Sequence, residues 1–146
     1  MPKRDNADRG NRTRTGIAGE FFVAAELSKR GWIATLTAKN TPDVDVLAAR
    51  PTGDVHARIQ VKTRTSAYKY AHRVGREIKL IGDHDFLVLV DLGEAGDSPR
   101  FWIVPTGVAA DLLKNEQIRT ADVEQFEGRC ELLDGPDGQV VPHLAI

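Results

Sequence analysis

The sequence predicts an α/β fold with a central mixed β-sheet flanked by helices. Three observations carry that expectation. A helical pattern over residues 16–30 is followed at once by three short β-like runs. Phe86 to Val90 is a continuous apolar run, as in a central strand buried on both faces. The order of elements is helix, three strands, an ambiguous segment, two strands and a helix, which differs from strict strand–helix alternation.

Residues 1–14 are polar and charged and read as a flexible basic arm. A helix is expected from Gly16 to Arg30, with Thr15 as its N-cap and Gly31 as its stop. On this helix Ile17, Phe21, Ala24 and Leu27 form an apolar stripe, and Glu26, Lys29 and Arg30 lie opposite. Trp32 to Thr37 reads as a strand and Lys39 to Pro42 as a turn. Val44 to Ala49 and His56 to Thr63 read as a hairpin turning through Pro51-Thr52-Gly53-Asp54. Residues 65–82 show no clean period. Phe101 to Val104 is a strand ended by Pro105, and Thr106 caps a short helix through Leu113. The turn-rich tail ends in a strand at Gln139 to Val141. Residues 15–146 therefore read as one domain behind the arm.

The 146 residues suffice for a real core, and 41% hydrophobic with 28% charged residues is ordinary for a soluble domain. No apolar run approaches the roughly 20 residues that span a bilayer, and no apolar stretch resembles a secretory signal. A lone Cys130 forms no intramolecular disulfide, which suits the cytoplasm. Net charge is -1, yet its distribution is uneven. Arg12 and Arg14 belong to one basic stretch, and Arg64, Lys69, Arg73 and Arg76 to another. Such asymmetry suits a polyanion on one side, or simply a solvated surface.

Three pieces suggest chemistry. Glu20 falls inside the apolar helix stripe, where a carboxylate is costly unless it is paired or binds a metal. Asp43 and Asp45 enter a strand, where aspartate is unfavourable, and period two sends both to the face of Leu47. Turn chemistry accounts for Asp43 well and for Asp45 poorly. Gln60 and Lys62 share one face of the next strand, and the hairpin brings them opposite Asp45. Mg²⁺, or Mn²⁺ in its place, takes hard oxygen ligands and needs only one or two carboxylates besides water and phosphate. Asp45, the Gln60 amide oxygen and the Val61 carbonyl are candidate ligands, with Glu20 acting directly or through water. Lys62 is then placed to orient or deprotonate an attacking water. His56, His72, His84 and His143 show no ligand spacing, and His72 retains only a remote role in phosphate contact. Tyr68 and Tyr70 interleave with the basic residues and either pack on the sheet or touch DNA. Trp102 reads as core.

At these residues the chain resembles the PD-(D/E)xK nuclease superfamily, with its restriction-endonuclease-like fold. Gly16-Ile-Ala-Gly-Glu20 looks like the first-helix glutamate motif, Pro42-Asp43-Val-Asp45 like the metal-binding aspartate, and Gln60-Val61-Lys62 like (D/E)xK. The match covers about residues 15 to 65 and is also similar to Holliday-junction resolvases and some homing endonucleases. It departs from the pattern twice: Gln60 replaces an acid, and the aspartate is doubled, with Asp45 preferred to Asp43. The resemblance implies a Mg²⁺-dependent DNA endonuclease in repair, recombination or a mobile element. It also implies catalytic Glu20, Asp45, Gln60 and Lys62, and a homodimer cutting two strands. DNA contacts would come from Arg64, Lys69, Arg73, Arg76, Arg12 and Arg14. The other reading is a non-catalytic DNA-binding or protein-interaction module on the same fold.

Overall fold

A computed structural model describes residues 6–38, 41–65 and 69–135, with side chains of the first helix described from residue 13 onward. The expected strand at Gln139 to Val141, together with Tyr68, His143 and the Arg12 side chain, lies outside the described residues.

Helix α1 spans Asn6–Lys29 and so begins well before the Gly16 start expected from sequence. Residues 6–15 carry no apolar stripe, so periodicity cannot reveal that part of the helix. Its end follows the sequence closely. Gly31 takes φ +94, its N–H donates to the Ser28 carbonyl, and the Trp32 N–H donates to the Leu27 carbonyl. This is a Schellman ending, closed by Trp32 and Leu27 within one apolar cluster.

Strands β1 (Ile33–Leu36), β2 (Val46–Ala49) and β3 (His56–Arg64) form an antiparallel meander. The chain then crosses over, through the short strand β4 (Ala71–Arg73), to β5 (Asp85–Asp91), which pairs parallel with β3. Strand β6 (Arg100–Pro105) returns antiparallel to β5. The five-stranded sheet has the order β1-β2-β3-β5-β6 and is mixed, as the sequence predicts. Helix α2 (Thr106–Leu112) and strand β7 (Gln117–Arg119) follow, and β7 pairs with β4 in a separate two-stranded ribbon. That ribbon is why residues 65–82 showed no period: three residues of strand are too few, and their partner lies far along the chain.

Every residue of β5 is buried. Phe86, Val88 and Val90 join Val23, Leu27, Trp32, Val46, Ile59, Val61 and Leu133 in the cluster beneath α1. Leu87 and Leu89 join Trp102, Val104, Ala109, Ile118 and Val123 on the other face, beneath the ribbon and α2. Each fully buried aliphatic chain contributes about 1.5–3 kcal/mol, so this strand anchors both layers. Trp102 is fully buried, as expected.

Three local expectations are corrected. The line of α1 that meets the sheet is Gly19, Val23 and Leu27, while Ile17 and Phe21 are 37% and 59% exposed. Phe22 turns inward instead and meets Phe101 edge-on at 5.5 Å. The buried line follows where the helix touches the sheet, which a helical wheel alone leaves undetermined. Glu26 is not on the solvent side but only 21% exposed, and it pairs with Arg30 at 3.2 Å and Lys29 at 3.8 Å. Thr106 is the first residue of α2 rather than its cap, and its buried hydroxyl has no hydrogen-bond partner among the described residues.

Candidate functional site

Asp45 lies one residue before β2, held by both neighbouring strands. Its N–H donates to the Ile59 carbonyl at 2.8 Å, and its carbonyl accepts from the Thr37 N–H at 3.0 Å. Its carboxylate accepts the Val61 N–H at 2.8 Å, so it sits against the Gln60-Val61-Lys62 segment. The register pairs Val46 with Ile59, and one further step sets Asp45 across from Gln60. The Val61 side chain is core, while its N–H and carbonyl, on one edge of an extended strand, face the Asp45 side.

Asp43 takes another path. It adopts φ 62 in the turn before the strand, so the alternation expected to align it with Asp45 never reaches it. Aspartate tolerates this left-handed conformation. Of the doubled aspartate, Asp45 is the one joined to β3.

Glu20 follows Gly19 on α1 and is half-buried. Burial holds its carboxyl above the usual carboxylate range, and the charge of Asp45 adds to the rise. The helix glutamate and the strand aspartate are therefore close enough to repel. Gln60 and Lys62 are half-buried, on the face of β3 opposite Ile59 and Val61, level with Leu87 and Leu89 of β5, and so on the side of the sheet away from α1. Among the described residues, the side chains of Glu20, Gln60 and Lys62 make no hydrogen bond or ion pair. Half-buried polar groups without internal partners are free to bind something from outside.

The set comprises two carboxylates, an amide and a strand carbonyl. Among the described residues, no group of three His, Cys, Asp or Glu side chains gathers as a metal cluster. The donors present are hard oxygens, the kind Mg²⁺ takes, with Glu20 and Gln60 coming from opposite faces of β3.

The expected DNA-contact residues divide. Arg64 is corrected: its side chain is 7% exposed and pairs with Asp91 at 3.1 Å. It also donates to the Ala71 carbonyl at 3.1 Å and the Thr120 hydroxyl at 2.8 Å, and lies over the Trp102 ring. It thus fastens the crossover to the sheet and is not available to a phosphate. Sequence reading missed this because its partner Asp91 is its register mate on a strand far along the chain. His72 is also corrected. It is buried against Trp102, with Nε2 at 3.2 Å from the Val90 carbonyl. Burial first, and then the Arg64 charge, hold its pKa down to about 4, so it is a neutral core residue. Arg14 and Lys69 are exposed. Arg73 and Arg76 have side chains 72% and 92% exposed and share Glu116 at 3.6 and 3.3 Å. Tyr70 is 90% exposed rather than packed on the sheet. Burial pushes the Cys130 thiol up to about 11, which leaves it unreactive.

A cleft lies beyond the end of β3, lined by Arg64, Lys69, Asp91, Glu94, Asp97 and Arg100, and it excludes Glu20 and Asp45. Arg64 and Asp91 pair with one another there, Asp97 accepts the Glu94 N–H, and Arg100 pairs with Glu127. No helix among the described residues is long and apolar enough to cross a membrane.

No protein-family model and no curated protein matches the chain. The solved structure of a bacterial homing endonuclease is similar over 72% of this chain and 71% of its own, with a TM-score of 0.49 and 17% identity.

Proposed function

We propose that this protein is a divalent-metal-dependent DNA endonuclease of the PD-(D/E)xK kind. The observation that carries the reading is the Asp45 carboxylate on the Val61 N–H, which joins the aspartate to the Gln60–Lys62 pair while Glu20 approaches from α1. Asp45, the Gln60 amide oxygen and the Val61 carbonyl would hold Mg²⁺ or Mn²⁺, with Glu20 as a direct or water-bridged ligand. The ion would acidify a bound water and offset charge on the phosphate. Lys62, half-buried and unpaired among the described residues, would orient that water and neutralise the developing oxyanion. Arg14, Lys69, Arg73 and Arg76 would meet the DNA backbone. Residues 6–14, the first turns of α1, would lie on the DNA side, and a homodimer would cut both strands.

Incubation of supercoiled plasmid and branched DNA with Mg²⁺ or Mn²⁺ tests this. Wild type is expected to cleave, and Asp45→Ala and Lys62→Ala to be inactive while still folded. Equal cleavage by all three proteins rejects the assignment. Gln60 in place of an acid favours one other reading, a DNA-binding module that has lost its metal. There, calorimetry would detect no Mn²⁺ binding while DNA affinity survives both substitutions.

A further inference from the structure

The approach of α1 to the sheet is tightest at Gly19. A Cβ built there would lie 1.8 Å from Thr63 Oγ1 and 2.8 Å from both the Cβ and Cγ2 of Thr63. All three distances are shorter than non-bonded atoms tolerate, and Thr63 is neither a long side chain nor a flexible one. Gly16, a turn earlier on the same helix, has open space where its Cβ would be. The requirement for a missing side chain is therefore local to the contact with β3. Thr63 directly follows Lys62, and Gly19 directly precedes Glu20. The contact also leaves the Thr63 hydroxyl buried with no hydrogen-bond partner among the described residues. A buried orphan hydroxyl is unfavourable, so the fold tolerates a local loss where helix and strand come closest.

We infer that Gly19 is a positioning residue: its absent side chain lets α1 seat on Thr63, and that seat sets the Glu20 carboxylate beside Asp45. The claim deepens the metal-site reading and rests on it for its consequence in catalysis. Its geometric part stands apart. Any side chain at position 19 lifts this turn of α1 off β3 and moves Glu20 away from the hairpin, while Asp45 stays fixed by Ile59 and Val61.

The test uses the full chain and Mn²⁺ alone as probe. Gly19→Ala is expected to lower the melting temperature and to weaken Mn²⁺ binding by about tenfold, typical for loss of a group that orients metal ligands. Adding Glu20→Gln to Gly19→Ala is expected to cause no further loss of Mn²⁺ affinity. Thr63→Ala, which removes Oγ1 and Cγ2, is expected to recover part of both losses in the Gly19→Ala background. A metal-free double-mutant cycle gives the independent readout. Glu20→Gln and Asp45→Asn are expected to couple in thermal stability in the wild-type background, because each relieves the same repulsion, and to be additive with Ala at position 19. Wild-type melting and Mn²⁺ affinity in Gly19→Ala, or an unchanged Glu20–Asp45 coupling, overturns the inference. A wild type that shows the coupling but binds no Mn²⁺ upholds the seat and rejects the metal site.

Discussion

The carboxylate of Asp45 accepts the backbone N–H of Val61 at 2.8 Å, just where β2 has ended and β3 continues. One acidic side chain thus replaces a missing strand partner and faces the peptide that carries Gln60 and Lys62. Asp45→Asn keeps an acceptor for Val61 and removes the charge. It is expected to abolish metal-dependent cleavage while changing stability by no more than about 1 kcal/mol, the net worth of one hydrogen bond. Plasmid cleavage and urea denaturation on the same preparation check both halves. A cleaving variant rejects Asp45 as ligand.

Gln60→Glu restores the acid that the PD-(D/E)xK pattern carries. A further carboxylate across from Asp45 is expected to tighten Mn²⁺ binding and to destabilise the metal-free protein through repulsion. Calorimetry and melting curves with and without Mn²⁺ should therefore move in opposite directions. Weaker Mn²⁺ binding in this variant would remove Gln60 from the ligand set.

Thr63→Val keeps the shape of a side chain whose buried hydroxyl has no described partner. Removing an unsatisfied polar atom is expected to stabilise the fold by about 1 kcal/mol. A lower urea midpoint would mean that the hydroxyl has a partner after all.

His72 gives the fold a pH dependence. Its pKa is held down from 6.5 to about 4, so the unfolded chain binds the extra proton over that window. The contribution of the neutral ring is complete above about pH 6.5 and is lost as pH falls towards 4, for a total of about 3 kcal/mol. His72→Phe is expected to flatten the melting temperature between those limits. The same slope in the variant would point to another group.

Arg64 and Arg76 should separate fold from DNA contact. Arg64→Leu leaves Asp91 buried without its partner, and breaking such a pair costs about 3–5 kcal/mol. Arg76→Ala touches a side chain 92% exposed and should leave melting unchanged. On the DNA-binding reading it should reduce the salt dependence of affinity by about one counterion. Fluorescence anisotropy across a salt series measures this, and an unchanged slope would exclude Arg76 from the DNA interface.

Much of this molecule could be read from its residues in order. The β2–β3 hairpin, the doubly buried β5 and the stop at Gly31 all arise from patterns within about ten neighbouring residues, the range over which period and turn chemistry act. Tertiary structure decided what depends on residues far apart. It rotated the buried line of α1 from Ile17 and Phe21 to Gly19 and Val23, because the line is set where the helix meets β3. It turned Arg64 from a surface cation into the partner of Asp91, and His72 into a core ring under Trp102. It separated Asp45, already preferred from the sequence, from Asp43: only Asp45 reaches the Val61 N–H, because the turn has bent Asp43 into a left-handed conformation. Local chemistry names the candidates for a site. Which of them meet is settled by strand register and helix seating, and both are set by contacts between residues distant in the chain.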